Sequence, residues 1–137
     1  LRVLSGLLEG ANTPSWISFS CKDEKHISDG TLISECAAFL TGHKNVFAIG
    51  INCTAPNHIS SLIKSLKPHI GTKKIIVYPN SGASYDPVSK KWAETSEPDF
   101  FNEMAGEWVR QGADIIGGCC RIGPEQIQKL SIKASLE

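Results

Sequence analysis

Three cysteine residues lie where two apolar segments of the chain end. Cys53 closes the segment Gly50-Ile51-Asn52-Cys53, and Cys119 and Cys120 are adjacent in Gly117-Gly118-Cys119-Cys120-Arg121. The glycines beside them allow the backbone to turn sharply, and Gly117-Gly118 is expected to supply the bend that lets both adjacent thiols face one point. Three thiolates fill three positions of a tetrahedral zinc ion and leave the fourth open, as a catalytic zinc requires.

The alternative is that these cysteines are structural thiols of a buried core, because cysteine is among the most buried residue types. Cys53 and Cys119 are 66 positions apart, which is not a zinc-finger spacing. Position alone therefore leaves both interpretations open.

The remaining cysteines and the histidines are weaker candidates for metal ligands. Cys36 lies on the apolar stripe of a predicted helix and is expected in the core, whereas Cys21 ends a predicted strand and is a less favoured ligand. No histidine pair has the i, i+4 spacing of a helical zinc motif, so all four are expected at the surface. They are His26, His43, His58 and His69.

The elements that would position the thiols follow from the apolar pattern. Short apolar segments, three of them nearly continuous, predict strands of a parallel sheet at residues 16–20, 46–51, 74–78 and 113–117. Helical spacing predicts intervening helices at residues 32–40, 56–66 and 101–111, and a last helix from Pro124. Residues 80–98 are expected to form a long loop.

Four βα units predict an α/β fold with crossover helices, either a small open sheet or half of an eight-stranded barrel. The pattern leaves both architectures open. In either fold the chemistry lies at the carboxyl ends of the strands, where all three cysteines are found.

Composition excludes several functional classes. A chain of 137 residues with a net charge of zero fits one small domain and gives no electrostatic reason to bind nucleic acid or an anionic membrane. No apolar segment approaches the roughly 20 residues that span a bilayer. Five cysteines, an odd number, favour reduced thiols and a cytoplasmic location. Because the chain begins at Leu1 without a signal-peptide pattern, it is expected to be an excerpt of a longer protein.

The segment after the third predicted strand has two interpretations. Tyr78-Pro79-Asn80-Ser81-Gly82 fits a simple turn. It also fits a loop that closes over a metal and offers amide and hydroxyl groups to a polar substrate. In that interpretation, Tyr85 and Trp92 are aromatic candidates to face a cationic ligand.

These segments together resemble the homocysteine S-methyltransferase family. The resemblance is carried, in chain order, by Gly50-Ile51-Asn52-Cys53, by Tyr78-Pro79-Asn80-Ser81-Gly82 with Tyr85-Asp86, and by Gly117-Gly118-Cys119-Cys120-Arg121 with Pro124. It covers about residues 4 to 130. The loop, Lys91-Trp92 and Ser28-Asp29-Gly30-Thr31 are most similar to the branch that uses S-methylmethionine. Ile122 departs from the family, which usually has Thr at this position.

The resemblance implies a fold and a site. The fold would be a (β/α)8 barrel, of which residues 1–137 carry strands five to eight and lack the N-terminal half. Cys53, Cys119 and Cys120 would hold Zn²⁺, and Asn52, Asn80 and Tyr85 are the candidates for substrate binding. Acidic residues that bind the homocysteine amino group would lie in the missing half.

The implied reaction is methyl transfer to homocysteine, giving methionine. A free thiol has a pKa near 8.5, and coordination to zinc deprotonates it outright. Three protein thiolates and Zn²⁺ sum to one negative charge, so the homocysteine sulfur stays electron-rich and attacks the methyl group of a cationic sulfonium. S-methylmethionine is the expected donor, S-adenosylmethionine a weaker one, and selenocysteine a second acceptor to consider.

Three alternatives remain at this stage. A betaine-using or folate-linked homocysteine methyltransferase would share the cysteine triad. A truncated, non-catalytic zinc-binding protein would fit the short length. A phosphate-binding α/β domain at Gly117-Gly118 is the third, although no Walker or dinucleotide fingerprint accompanies it.

Overall fold

The structure is a computed structural model that describes residues 1–11, 13–83, 85–93 and 100–134. The described chain alternates helices with strands. The elements are α1 (Arg2–Gly10), β1 (Ser15–Phe19), α2 (Ile33–Thr41), β2 (Val46–Asn52), α3 (Pro56–Leu66) with a 3₁₀ turn (Lys67–His69), β3 (Lys74–Tyr78), β4 (Tyr85–Asp86), β5 (Lys91–Trp92), α4 (Phe100–Gln111), β6 (Ile115–Ile116) and α5 (Pro124–Ala134). Among these residues, no helix is both long and apolar enough to cross a membrane.

One parallel sheet organises the fold, with the strand order β1-β2-β3-β6. Every neighbouring pair in it is parallel, and the order follows the chain without reversal. Helix α2 contacts α3, α3 contacts α4, and α4 contacts α5, so these helices form one layer on one face of the sheet. A doubly wound sheet would instead reverse its strand order and place helices on both faces.

The core lies between the sheet and this helical layer. Alternate residues of the strands, including Ile17, Ile49 and Ile75, are buried beneath the helices. The apolar stripes of the helices close the other side of the core, and their fully buried side chains are Ile33, Leu40, Ile59, Leu62, Ile63, Leu66 and Trp108. These residues recur at helical spacing in the sequence, and the helices predicted from that spacing are confirmed.

The opposite face of the sheet is partly open and holds a different set of side chains. Trp16 is 50% exposed at one end of β1, and the Tyr78 hydroxyl is hydrogen-bonded to the Ser18 hydroxyl across β2. Gly50 lies between Ser18 and Ile76 on this sheet. A Cβ atom on Gly50 would lie 2.6 Å from Cγ2 of Ile76 and 2.8 Å from Cβ of Ser18, so only glycine fits.

The strand and helix predictions are confirmed with shifted ends, except at β6. Residues 113–117 were expected to form a strand, but only Ile115–Ile116 pair with β3. Asp114, which precedes β6, is hydrogen-bonded to β3 through its backbone and its side chain. Its backbone N–H donates to the Ile75 carbonyl at 2.9 Å, and its carboxylate accepts from the Ile75 N–H at 2.8 Å.

Two further elements correct the sequence-based expectations. Helix α1 was not predicted, because Leu4 and Leu7 remain exposed and its apolar pattern is short. The expected long loop contains the antiparallel hairpin β4–β5, in which Tyr85 pairs with Trp92. Residue 84 and residues 94–98 of that loop lie outside the described residues.

Candidate metal centre

The sulfur atoms of Cys53, Cys119 and Cys120 lie together at the carboxyl edge of the parallel sheet. The Cys53 Sγ lies 3.3 Å from the Cys120 Sγ, the Cys119 Sγ lies 3.9 Å from the Cys120 Sγ, and all three lie within 4.8 Å of one another. All three thiols are free. Within the described ranges, this is the only group of three or more Cys, His, Asp or Glu residues with its ligand atoms this close.

Cys53 adopts a left-handed backbone conformation with φ of 47°. For a residue that carries a Cβ, this conformation costs about 1–2 kcal/mol, so its surroundings must hold it in place. The Cys53 N–H donates to the Tyr78 carbonyl at 3.1 Å, and the Cys53 carbonyl accepts from Nδ2 of Asn80 at 3.2 Å. Both backbone polar groups of Cys53 are therefore bound by the last residue of β3 and the segment that follows it.

Cys119 and Cys120 lie in a turn that packs against the same segment. The Cys119 N–H donates to the Pro79 carbonyl at 2.9 Å, and the Ile122 N–H donates to the Cys119 carbonyl at 3.0 Å. Gly117 and Gly118, which were expected to supply the bend, do not adopt a left-handed conformation, and the left-handed residue of this turn is Arg121, with φ of 64°. Gly118 is needed for space, since a Cβ atom there would overlap Ile122.

The electrostatics of the metal-free cluster oppose three simultaneous thiolates. Burial, together with hydrogen bonding to the other two thiols, raises the pKa of Cys53 to about 12. Burial also acts to raise the pKa of Cys119, but hydrogen bonds from Cys53 and Cys120 outweigh it and lower that pKa. Of Cys53 and Cys119, Cys119 therefore loses its proton first, and a bound cation would favour the thiolate form of both.

The spacing of the sulfurs fits a zinc ion. Tetrahedral coordination with Zn–S bonds of about 2.3 Å places two sulfurs about 3.8 Å apart. The separations of 3.3 and 3.9 Å in the structure bracket that value. Soft thiolate donors also suit zinc better than magnesium or calcium, which take oxygen ligands.

The three predicted substrate-binding residues occupy different surroundings. Asn52 ends β2, opposite Tyr78 in the register, and is half-buried beside Cys53. Asn80 uses both ends of its side-chain amide, because Oδ1 accepts from the Gly82 N–H at 2.8 Å while Nδ2 donates to Cys53. Tyr85 lies on the β4–β5 hairpin and is 48% exposed.

The other cysteines lie outside the sulfur group. Cys36 is buried in the core, as expected. Cys21 is half-buried, and burial raises its pKa to about 11. Its backbone N–H, rather than its sulfur, reaches toward the site by donating to the hydroxyl of Thr54.

The histidines only partly match the expectation of surface positions. His69 is exposed. His43 is mostly buried, with its Nδ1 3.2 Å from Oε1 of Glu9. His26 is half-buried, with its Nδ1 3.0 Å from Oδ2 of Asp23. Sequence reasoning missed this partial burial, because both contacts join residues that the apolar pattern assigns to loops.

Thr54 is a residue of the site that sequence reasoning did not single out. It follows Cys53, is only 1% exposed, and is one of two buried polar residues in the described chain. The available signal was its position directly after a candidate ligand, with a short hydroxyl side chain that can hydrogen-bond the local backbone.

The chain is similar to known proteins in family, in sequence and in structure. The family model described as homocysteine S-methyltransferase matches residues 1–134. Homocysteine S-methyltransferase YbgG of Bacillus subtilis is 49% identical over 125 residues, which are 91% of this chain and 39% of that protein. Homocysteine S-methyltransferase 3 of Arabidopsis thaliana is 44% identical over 126 residues, which are 90% of this chain and 36% of that protein.

Among solved structures, the metallated form of the homocysteine methyltransferase MmuM from Escherichia coli is similar, with a TM-score of 0.78 and 31% identity. The match covers 96% of this chain and 40% of that one. The chain thus spans about two fifths of the length of the proteins that it matches.

Proposed function

This chain belongs to the homocysteine S-methyltransferase family, and from this premise we propose that it provides the zinc site for methyl transfer from S-methylmethionine to the thiol of homocysteine. The product would be methionine. The observation that carries the proposal is the group of three free thiols at the carboxyl edge of the sheet, with a spacing that fits tetrahedral zinc.

Cys53, Cys119 and Cys120 would hold the ion and leave one position for the substrate sulfur. Zinc, when bound, supplies a site at which the homocysteine sulfur is deprotonated at neutral pH. Three cysteine thiolates outweigh the charge of the ion, so the centre attracts a cationic sulfonium. S-methylmethionine and S-adenosylmethionine both carry that charge on the sulfur to which the transferred methyl group is bonded, and this sulfur leaves as a neutral thioether.

The neighbouring residues of the chain would orient the two substrates. Asn52 lies at the end of β2, directly before Cys53, and Tyr85 presents an exposed ring on the β4–β5 hairpin. We propose Asn52, Asn80 and Tyr85 as substrate-binding residues, with polar amides for the amino-acid groups and the ring for the cationic donor. Holding the two sulfur centres at attack distance would supply much of the rate acceleration.

We further propose that residues 1–137 form strands five to eight of a (β/α)8 barrel. The strand order without reversal, the single helical layer and the coverage of about two fifths of the relatives support this proposal. The sheet face away from the helices carries exposed apolar side chains, which the remaining strands of a barrel would cover. They are Trp16, Phe47 and Ile115.

A non-catalytic zinc-binding protein is the second candidate, because three clustered thiols can hold zinc without any turnover. Four strands expressed alone would expose two sheet edges and the apolar face. The isolated span is therefore expected to aggregate, or to dimerise in a way that closes a barrel, and to lack turnover. Size-exclusion chromatography with an activity assay tests this, and a stable monomer with full turnover would contradict the half-barrel proposal.

Comparing methyl donors tests the proposed reaction in the protein that contains this chain. Methionine formation from homocysteine is measured with S-methylmethionine, S-adenosylmethionine and betaine at equal concentrations. The proposal expects the highest catalytic efficiency with S-methylmethionine and abolished turnover in Cys119→Ser, whereas Cys21→Ala keeps turnover. A higher efficiency with betaine would overturn the donor assignment, and full turnover in Cys119→Ser would overturn the site.

A further inference from the structure

We propose that the Thr54 hydroxyl and the Asn80 side-chain amide act as positioning groups that hold Cys53 in its left-handed conformation and thereby set the spacing of the three sulfurs. The inference rests on the proposed function in one respect, which is that the three sulfurs bind a metal. It assigns to Asn80 a structural effect on a ligand, in addition to the substrate contact proposed above.

The hydroxyl of Thr54 joins two strand ends below the cluster. It donates to the Asn52 carbonyl at 2.9 Å and accepts from the Cys21 N–H at 2.9 Å. Because Thr54 is 1% exposed, loss of this hydroxyl would leave the Cys21 N–H in a site that water reaches poorly. The hydroxyl therefore ties the end of β2, where Cys53 begins its turn, to the end of β1.

Asn80 binds the same turn from the other side. Its Nδ2 donates to the Cys53 carbonyl at 3.2 Å, and its backbone N–H donates to the Thr54 carbonyl at 3.1 Å. The Gly82 N–H holds Oδ1 at 2.8 Å, which fixes the amide in the orientation that presents Nδ2 to Cys53. Both ends of the amide are thus engaged by the protein itself.

The segment around Asn80 also holds the other two ligands. The Pro79 carbonyl accepts from the Cys119 N–H at 2.9 Å, and the Ser81 N–H donates to the Cys120 carbonyl at 3.1 Å. Residues 79–81 therefore lie between two thiol-bearing turns and bind both. A change at Asn80 that released Cys53 would alter the distance between sulfurs on opposite sides of this bridge.

The test uses paired variants of the protein that contains this chain. Thr54→Val keeps the shape but removes the hydroxyl, whereas Thr54→Ser keeps the hydroxyl. Asn80→Ala removes the amide, and Asn57→Ala, at an exposed asparagine in the first turn of α3, is its control. Zinc affinity is measured by competition with a chromophoric chelator, and amide hydrogen exchange at Cys53 is measured in the metal-free protein.

We expect zinc affinity to fall about 10- to 100-fold in Thr54→Val and Asn80→Ala, as is usual when groups that orient metal ligands are removed. Thr54→Ser and Asn57→Ala should stay within about threefold of the unchanged protein, a small fraction of that range. Exchange at the Cys53 amide should accelerate in the first pair only, because a freed turn exposes its backbone N–H.

Unchanged zinc affinity and unchanged exchange in both Thr54→Val and Asn80→Ala would overturn the proposal. If Thr54→Val does not fold, Asn80→Ala alone decides, since its side chain is partly exposed. A raised KM for homocysteine in Asn80→Ala with unchanged zinc affinity would leave Asn80 with its substrate contact alone and overturn its positioning role. Absence of turnover in the unchanged protein would count against the proposed reaction alone, because zinc affinity and exchange do not depend on turnover.

Discussion

Gly50→Ala tests whether the packing of the sheet face opposite the helices is as tight as the structure indicates. The added Cβ atom would lie 2.6 Å from Cγ2 of Ile76, 2.8 Å from Cβ of Ser18 and 3.2 Å from the Ile76 carbonyl oxygen. Rotation of Ile76 would relieve only the first contact, because the other two atoms are fixed to neighbouring strands. Relief therefore requires β1 or β3 to move away from β2.

Overpacking of this kind costs about 1–3 kcal/mol, and two fixed neighbours place Gly50→Ala in the upper half of that range. With a urea dependence of about 2 kcal/mol per M, a loss of about 2 kcal/mol lowers the unfolding midpoint by about 1 M. Gly42→Ala is the matched control, because no atom lies within 4 Å of its added Cβ and its φ of −75° suits alanine. Equal midpoints for Gly50→Ala and Gly42→Ala in urea unfolding would refute the reasoning.

Three further predictions follow from the thiols and from β6. Cys53→Ser should lose zinc by elemental analysis while Cys21→Ala retains it, and full occupancy in Cys53→Ser would contradict the ligand assignment. The folded pKa values, about 12 for Cys53 and about 11 for Cys21, exceed the ordinary 9.0, so the folded metal-free protein binds more protons between these values. Its free energy of unfolding should therefore fall as the pH rises from about 9 toward about 12, and a urea midpoint that stays constant from about pH 10 to about pH 11 would contradict this. Asp114→Ala should lower the free energy of unfolding by about 1 kcal/mol, because the Ile75 N–H loses its acceptor; an unchanged urea midpoint would show that water replaces the carboxylate.

Much of the fold could be predicted from the sequence, because the spacing of apolar residues indicates which side chains are buried. Ile59, Leu62, Ile63 and Leu66 repeat at helical spacing, and all four are fully buried in α3. A strand at β6 was predicted but its short length was not, because the hydrogen bonds of Asp114 with Ile75 depend on the neighbouring strand. Helix α1 was missed for a related reason, since most of its large apolar side chains remain exposed.

The cysteines of the site were predictable from the sequence, but the backbone conformations and hydrogen bonds that position them were not. Motif and strand ends indicated the three cysteines, and the structure brings their sulfurs together. The left-handed conformation of Cys53 depends on hydrogen bonds with Tyr78 and Asn80, residues distant in sequence that no local pattern reveals. The role of Thr54 depends in the same way on Cys21, 33 residues earlier. Reduced thiols favour a cytoplasmic location, and this stays a prediction.

The most direct test of the account is to count the sulfur atoms around zinc by X-ray absorption spectroscopy. The protein that contains this chain is measured as the zinc form, first alone and then with homocysteine. The account predicts three sulfurs at about 2.3 Å in the first spectrum and four in the second, because homocysteine takes the open position. A sulfur count below three without substrate, or a count that homocysteine leaves unchanged, would contradict a site in which Cys53, Cys119 and Cys120 present zinc to the substrate thiol.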